Sequence, residues 1–274
     1  PRAPRARENF FFRVCHKMAN LDVRVISLGE PTALLERARR LFPSASVGVR
    51  RGIDVRGASV RSLVESGMIT HGAAHVLRHG RKWHHELGSK GGIGLAHAVR
   101  LALQEDVTRP LLLFEDDCVI RDAAALVREV ETLCAHAASF DVAVLGCRLW
   151  DRAHTDRSVP FLRPPWVQLR GGRFFMMQCV LYSPTGRQRL AAHLATHPLD
   201  MQIDALLSSL ADQGTLRVLA HVSAALTRQS LHVSAIQETL GTCALCMVHP
   251  VALKTFSSAV ALVAVAAACA ALRR

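Results

Sequence analysis

Short apolar runs rich in Val, Ile and Leu alternate along this 274-residue chain with longer segments of helical period. This alternation is typical of an α/β fold, in which helices cover a sheet. The predicted strands are residues 23–28, 47–53, 111–114, 142–145 and 179–183, and the predicted helices are 32–41, 94–104, 123–137, 185–195 and 202–210. We therefore expect a Rossmann-type mixed sheet with helices on both faces. Half of the residues are hydrophobic, which excludes wholesale disorder.

The two ends of the chain differ from its middle. The apolar stretch of the first 17 residues is only Phe10 to Phe12, too short for a signal-peptide core. We predict a disordered extension over residues 1–17, a folded domain over 18–240 and an Ala-rich tail over 241–274. Within that tail, residues 255–272 are uncharged and reach the lower limit of a bilayer span, so a weak tail anchor, a packed helix and a loose tail remain open. The expected location is cytoplasmic or membrane-associated.

The formal net charge of +12 raises nucleic acid as a partner. The charge is not gathered into one block, and aromatic residues make up only 5 % of the chain. A protein that coats duplex nucleic acid more often has a basic stripe interleaved with aromatic residues. We therefore expect no specific nucleic-acid partner, and we keep a basic nucleic-acid-binding protein as a second alternative function.

The eight cysteines are scattered, unlike the dense framework of a small disulfide-stapled secreted domain. This usage favours a reducing compartment. Cys243 and Cys246, followed by His249, have the spacing of half a zinc site. No second pair lies at a suitable spacing, so we interpret them as ordinary thiols.

The strongest chemical signal is an all-apolar run, Leu111 to Phe114, that ends in Glu115, Asp116 and Asp117. A strand that is apolar on both faces is central in its sheet. Side chains at the carboxyl end of a central parallel strand lie in the crevice where α/β sheets bind ligands. Three adjacent carboxylates need a cation, and hard oxygen ligands suit Mg²⁺ or Mn²⁺. Helix capping or pairing with surplus Arg would explain an arbitrary triplet, but its position after this strand favours a metal-dependent enzyme acting on a phosphorylated or nucleotide-linked substrate.

Several segments, in order, resemble glycosyltransferase family 25, the group of lipooligosaccharide and collagen-type galactosyltransferases. Val25-Ile26-Ser27-Leu28 is similar to the family's opening strand, and Leu113 to Asp117 resembles the family's "L-E-D-D" metal motif. The remaining matching segments are Arg51 to Gly57, Gly91 to His97, Asp200 to Asp204, and Gln229 with Ser234-Ala235-Ile236. The likeness spans residues 23–237, and its strength comes from six segments in the right order.

This resemblance implies a GT-A fold and a metal-dependent transfer of a hexose, galactose or glucose above all, from a UDP-sugar with inversion. The implied acceptor is a hydroxyl of a glycan or a glycoprotein. Glu115 and Asp117 would hold Mn²⁺ or Mg²⁺, with His232 as a candidate third ligand, although the pattern favours a solvated surface His at position 232. Asp204 is the first candidate for the base that takes the acceptor proton and Asp200 is the second, while helix capping competes as an explanation for both.

Further residues are candidates for binding the nucleotide-sugar. Asp116 would bind donor hydroxyls, and Asp54 would contact the nucleotide, although Asp before a turn also has a local role. Gly91 and Gly94, with Lys90, would bring backbone amides and charge to phosphate at a helix N-terminus, unless they only form a tight turn. His97 in the same segment is a cofactor-binding candidate or a hydrogen-bonded core residue.

The chain departs from the family pattern at Gly92, where the family has Glu, and at Ala96, where it has Ser. These departures motivate an alternative function, a catalytically impaired GT-A-fold protein that binds carbohydrate or acts as a scaffold. Trp150 and Trp166 flank a Pro-rich stretch. They are candidates for stacking on an acceptor sugar, although burial explains most Trp residues.

Overall fold

The computed structural model describes residues 18–81, 83, 85–149, 155–156, 159–170, 174–223 and 225–230. Its strands are β1 Asp22–Ser27, β2 Ser46–Arg51, β3 Leu111–Glu115, β4 Cys118–Ile120, β5 Val142–Val144, β6 Arg148–Leu149, β7 Thr155–Asp156, β8 Trp166–Leu169, β9 Phe174–Phe175, β10 Cys179–Tyr182, β11 Val218–His221 and β12 Thr227–Gln229. Its helices are α1 Thr32–Leu41, α2 Val60–Glu65, α3 His71–His79, α4 Lys90–Leu103, α5 Ala123–Ala135, α6 Pro184–Thr196 and α7 Ile203–Asp212, with a 3-10 turn at Ala137–Ser139.

Within the described ranges, eight strands form the main sheet in the order β2-β1-β3-β10-β5-β11-β8-β7. Strands β2, β1 and β3 are parallel, and β5 is parallel to β11. Strand β10 is antiparallel to both of its neighbours, β3 and β5. The carboxyl ends of β1, β2, β3, β5 and β11 therefore lie at one edge of the sheet, together with the amino end of β10.

The connections around β1 create a crevice at that edge. The chain passes from β1 through α1 to β2 on one side of β1, and it returns through α2, α3 and α4 to β3 on the other side. The strand order therefore reverses at β1, which is where open α/β sheets bind ligands. This crevice is the first place to look for a site.

Two cores, one on each face of the sheet, follow from the alternation of side chains along the strands. In β3, Leu111 and Leu113 join the core formed with α4, α6 and α7, whereas Leu112 and Phe114 join the core formed with α1 and α5. The predicted class, a mixed sheet with helices on both faces, is confirmed.

The buried guanidinium of Arg187 binds the C-terminus of α4. Arg187 on α6 is fully buried and donates to the carbonyl oxygens of Ala102, Leu103 and Arg109 at 3.0, 3.2 and 2.9 Å. It also lies 3.5 Å from the buried carboxylate of Asp22 at the start of β1. The orphan carbonyls at the C-terminus of α4 thus find donors, and this fixes the helix whose other end reaches the crevice.

Most predicted elements are present, and the described elements that were not predicted are α2, α3, β4, β6 to β9, β11 and β12. The predicted helix 32–41 is α1 without change, and the other predicted helices are shifted by a few residues at one or both ends. The helix predicted from Gly94 begins at Lys90, and the one predicted from Gln202 begins at Ile203. The His- and Gly-rich stretch 67–93 has no clear period but contains α3, and the Pro- and Arg-rich stretch 151–173 contains β8.

The ends of the chain remain untested. No helix among the described residues is long and apolar enough to cross a membrane. The predicted extension 1–17, the tail 241–274 with the stretch 255–272, and the zinc-like spacing at Cys243 and Cys246 all lie outside the described residues. The four described cysteines, Cys118, Cys134, Cys147 and Cys179, are free thiols.

Candidate functional site

A cleft opens at the carboxyl edge of β1, β2 and β3, where the strand order reverses. Its volume is about 90 Å³, smaller than a typical small-molecule pocket, so a nucleotide would extend beyond it along the open side. The residues that line it come from β1 and its end, the loop after β2, the first turns of α4 and the end of β3: Ile26, Ser27, Leu28, Gly52, Ile53, Asp54, Val55, Arg56, Gly91, Gly94, Leu95, Glu115, Asp116 and Asp117.

The acid triplet forms one wall of this cleft, as the sequence predicts. Strand β3 ends at Glu115, and Asp116 and Asp117 form the turn to β4. The Ser27 hydroxyl at the end of β1 donates to Asp116 Oδ2 at 2.5 Å and accepts from the Gly29 amide at 3.1 Å. Asp116 is exposed, so its carboxylate is held across the crevice with one side open to a ligand.

Asp117 is half-buried and has two different carboxylate oxygens. Its Oδ2 accepts a hydrogen bond of 2.7 Å from the Gln229 amide, whereas its Oδ1 is buried without a hydrogen-bond partner. Loss of contact with water raises the pKa of Asp117, and the Gln229 hydrogen bond opposes that rise. A buried carboxylate oxygen without a partner is costly, because it has lost water and gained no donor.

Glu115 has the more strongly perturbed carboxyl group. Burial raises its pKa to about 8, and the charges of Asp117, Asp204 and Asp116 act in the same direction. Among the residues that the structure describes, no basic side chain opposes this rise in the pKa of Glu115. At neutral pH the metal-free cleft therefore favours the protonated form of Glu115, and a cation that binds there would displace this proton.

The opposite rim carries a carboxylate that is already neutralised. Asp54, in the loop after β2, pairs with Arg56, whose guanidinium lies 2.6 Å from Asp54 Oδ2. The Arg56 side chain and backbone N–H both donate to Asp54, and they lower its pKa to about 2. The predicted nucleotide contact Asp54 thus lines the cleft, and its charge is shared with a neighbour.

The glycine-rich segment forms the first turns of α4. Ser89 is the N-cap, and its hydroxyl accepts from the Gly92 amide at 3.2 Å. Gly91 and Gly94 line the cleft. A Cβ at Gly94 would lie 2.0 Å from the Ile53 carbonyl oxygen, so glycine is required there for the close approach of α4 to the loop. Gly92 faces no such obstacle, because a Cβ there would meet its nearest neighbour at an ordinary 3.4 Å.

Lys90 and His97 were candidates for the same ligand, and the structure places neither in the cleft lining. The Lys90 ammonium donates to the carbonyl oxygens of Arg56 and Ala58 at 2.9 and 2.6 Å and thereby ties the rim loop to α4. His97 is buried, and removal from water lowers its pKa, with a hydrogen bond to the backbone of Met68 acting against that shift. This geometry corresponds to the core interpretation of His97.

The two candidate bases, Asp200 and Asp204, differ in position and in burial. Asp200 is exposed and precedes α7, whereas Asp204 lies in the first turn of that helix and is half-buried. Burial raises the pKa of Asp204 to about 6, against hydrogen bonds from the backbone of Ala205 and Met176 and the charge of Arg81. Met176 has a φ of 76°, unusual for a residue with a side chain. A backbone conformation of this kind costs free energy and tends to be retained at functional sites.

The predicted metal ligands are only partly brought together. Within the part of the chain that the structure describes, no group of three or more His, Cys, Asp or Glu side chains could hold a metal ion by itself. Glu115 and Asp117 lie on the same wall, and the third candidate, His232, lies outside the described residues. Two carboxylates suffice for Mg²⁺ or Mn²⁺ when a phosphorylated ligand supplies further oxygens, and the unpartnered Asp117 Oδ1 fits such an ion.

The structure adds residues that the sequence did not assign to the site. Ser27 and Gln229 were quoted only as parts of matching segments, yet they hold Asp116 and Asp117. Trp166, a stacking candidate, is buried and donates to Glu129 at 2.8 Å, so it belongs to the core. Trp150 lies outside the described residues, whereas Trp83, which the sequence did not single out, is 65 % exposed.

Comparison with known proteins finds remote structural similarity alone. No protein-family model and no curated protein matches this chain. Among solved structures, a UDP-glucose pyrophosphorylase complexed with UDP-glucose is similar at 12 % identity and a TM-score of 0.40, over 73 % of this chain and 89 % of that one. The UTP-bound UGPase from Acinetobacter baumannii has 12 % identity and a TM-score of 0.40 over 76 % and 87 %.

A mannose-1-phosphate geranyltransferase from Thermus thermophilus has 12 % identity and a TM-score of 0.31, over 74 % of this chain and 73 % of its own. Similarities at this level carry no conclusion about the chemistry of this chain.

Proposed function

We propose that this chain is a metal-dependent glycosyltransferase that moves a hexose, galactose or glucose, from a UDP-sugar to a saccharide or protein-linked hydroxyl with inversion. One observation carries the proposal. At the point where the strand order reverses, Glu115 and Asp117 form a carboxylate wall. Among the described residues, no basic side chain pairs with either carboxylate, and Asp117 Oδ1 is buried without a hydrogen-bond partner. Such a wall is suited to a divalent cation and the diphosphate that accompanies it.

Glu115 and Asp117 would hold Mn²⁺ or Mg²⁺. When bound, the ion neutralises charge that develops on the departing nucleoside diphosphate. The protein prepares this site by keeping Glu115 and Asp117 partly removed from water and near enough for their charges to interact. A proton on Glu115 relieves this repulsion in the metal-free protein, and a bound cation would replace that proton.

Asp54, Gly91 and Asp116 would bind the rest of the donor. Asp116 is exposed beside the metal-binding wall, and the Ser27 hydroxyl fixes one of its oxygens, which leaves the other for a ribose or sugar hydroxyl. Gly91 presents backbone at the first turn of α4, where the helix dipole favours phosphate. Asp54, fixed by Arg56, offers an acceptor to the nucleoside from the opposite rim.

Asp204 would act as the base that takes the proton from the acceptor hydroxyl. Its pKa of about 6 leaves it ionised at neutral pH while keeping it basic enough to accept a proton. Its charge also acts on Glu115, which supports a position toward the same site. Asp200 is the weaker candidate, because it is exposed and lies outside α7.

The acceptor would approach from the side of the described residues in the loop before α4, namely Arg81, Trp83 and residues 85–88. This loop is joined to the start of α7, since the backbone N–H of Gln202 donates to the His85 carbonyl at 3.1 Å. Arg81 in the same loop acts on the charge of Asp204. The exposed indole of Trp83 offers an apolar face on which a sugar ring could stack.

The proposal is tested by incubating the protein with a panel of nucleotide-sugars and measuring release of the nucleoside diphosphate, with and without Mn²⁺. We expect release from a UDP-hexose that requires the metal and that Asp117→Asn abolishes. Metal-dependent binding of the donor without any release or transfer would instead support the catalytically impaired alternative. No binding of any nucleotide-sugar would contradict both.

A further inference from the structure

We propose that Gln229 is a positioning residue that sets Asp117 for metal binding, an inference that rests on the proposed metal-dependent function. The Gln229 Nε2 group donates to Asp117 Oδ2 at 2.7 Å. The other oxygen, Oδ1, is buried and has no hydrogen-bond partner among the described residues. One amide group thus occupies one oxygen of the carboxylate and leaves the second for a cation.

The hydrogen bond joins residues that are 112 positions apart, so a dedicated piece of structure brings them together. Strand β12 pairs antiparallel with β4, with Gln229 opposite Cys118. The Ser230 amide donates to the Asp117 carbonyl at 2.8 Å. The backbone and the side chain of Asp117 are therefore both held by the end of β12.

The strand is itself fixed independently of Asp117. The Thr227 hydroxyl donates to the Leu145 carbonyl at 2.6 Å, and Thr227 is fully buried. Arg228, the next residue, is exposed and on the opposite side of the strand. Thr227 and Arg228 are thus matched controls, one for the placement of β12 and one for its exposed face.

A neutral amide suits this position better than a cation would. A Lys or Arg donor would neutralise Asp117 and compete with a metal ion for it. The amide supplies a hydrogen bond that favours the ionised carboxylate and leaves its negative charge in place. Hydrogen bonds of this kind to metal ligands are worth roughly 10–100-fold in metal affinity.

The test is Mn²⁺ affinity, measured by the electron paramagnetic resonance signal of free Mn²⁺, in wild type, Gln229→Met, Thr227→Val and Arg228→Gln. We expect Gln229→Met to weaken Mn²⁺ binding about 10–100-fold and to lower Tm by no more than about 4 °C. Arg228→Gln should bind like wild type. Thr227→Val should lower Tm and leave Mn²⁺ affinity unchanged.

A second readout separates positioning from general damage. The Mn²⁺ concentration for half-maximal turnover should rise in Gln229→Met, while kcat at saturating Mn²⁺ returns toward wild type. If Gln229→Met folds poorly, Gln229→Asn, which keeps the amide but shortens its reach, should show the same loss of affinity.

Three results would overturn parts of the account in distinguishable ways. Unchanged Mn²⁺ affinity in both Gln229 variants would refute the positioning role while leaving the proposed function intact. An equal loss in Thr227→Val would assign the effect to strand placement rather than to the Gln229 amide. Absence of Mn²⁺ binding to the wild-type protein would refute the proposed metal-dependent function itself.

Discussion

Buried carboxylates lie at both ends of strands β1 and β3, but a basic side chain pairs with the carboxylate at only one of these ends. At the starting end, the buried carboxylate of Asp22 lies beside Arg187, whose guanidinium is fully buried and also serves three backbone carbonyls. At the carboxyl end, Glu115 and Asp117 are partly buried, and within the described part of the chain no basic side chain pairs with them. We call the end with the Asp22–Arg187 pair the balanced end and the end with Glu115 and Asp117 the acid wall.

This difference teaches where to look for function. The burial of Asp22 is offset by the guanidinium of Arg187. Among the described residues, no basic side chain offsets the burial of Glu115 at the other end of the same strands. Unneutralised carboxylates reduce stability and are retained where a ligand supplies the missing charge. Substitutions at the balanced end and around the acid wall should therefore have different effects on stability and on activity.

The largest effect on folding is expected at the balanced end. Arg187→Met should lower the free energy of unfolding by about 3–5 kcal/mol, because it removes the buried cation beside Asp22, leaves only the longer 3.9 Å contact with Arg24, and takes a donor away from three carbonyls. Chemical denaturation measures this change. Arg189→Met on the same helix is the control, and it should cost far less, since Arg217 still pairs with its partner Asp141. Equal losses in the two variants would show that the buried network has no special role.

The next largest effect is expected on catalysis at Asp204 in α7, whose charge acts on Glu115. Asp204→Asn should reduce transfer about 100-fold or more, because the acceptor proton loses its base, while donor and Mn²⁺ binding remain. In the wild type, kcat should rise with pH through about 6 and then level, since the base acts only when it is deprotonated. A variant that keeps the wild-type rate and pH profile would exclude Asp204 and return attention to Asp200.

A smaller effect, on stability, is expected at Glu115. Its folded-state pKa of about 8 exceeds its usual value of 4.5, so the folded protein binds more protons than the unfolded chain between these limits. Stability of the metal-free protein should therefore fall as pH rises through that window. Glu115→Gln should remove this loss and stabilise the metal-free protein by about 1–3 kcal/mol at pH 8. Thermal unfolding of both proteins at pH 5 and pH 8 checks it, and a Glu115→Gln Tm at pH 8 no higher than that of the wild type would contradict the unbalanced wall.

The smallest effect is expected at the rim. Asp54→Asn breaks an exposed pair with Arg56, so it should leave Tm nearly unchanged, because exposed ion pairs contribute little. Donor affinity should fall only modestly and Mn²⁺ affinity should not change. Loss of Mn²⁺ binding in this variant would mean that the cation occupies the rim rather than the Glu115 wall.

The sequence predicted the parts of the fold that local pattern controls. Helix α1 was predicted with its limits, and the acid triplet was placed at the end of a central strand because Leu111 to Phe114 are apolar on both faces. Helix α3 was missed because its stretch is rich in His and Gly. It is stabilised by Thr70, whose hydroxyl accepts from the Ala73 amide, and by burial of Ala73 and Ala74 against the core.

The parts of the site that the sequence could not supply depend on contacts between distant segments. Gln229 reaches Asp117 across 112 residues, and Ser27 reaches Asp116 across 89. Nothing local at either position marks such a contact. Lys90 and His97 failed as cleft residues for the converse reason. Their neighbours in sequence line the cleft, but the helix turns their side chains toward the rim backbone and the core.

The most direct test is the thermal shift of the wild-type protein with Mn²⁺ alone, UDP alone and both together, with Asp117→Asn alongside. If the carboxylate wall holds a cation against a diphosphate, the two ligands together should raise Tm by more than the sum of their separate effects. The increase should be absent in Asp117→Asn. A UDP shift that is equal with and without Mn²⁺, and equal in the variant, would contradict the account.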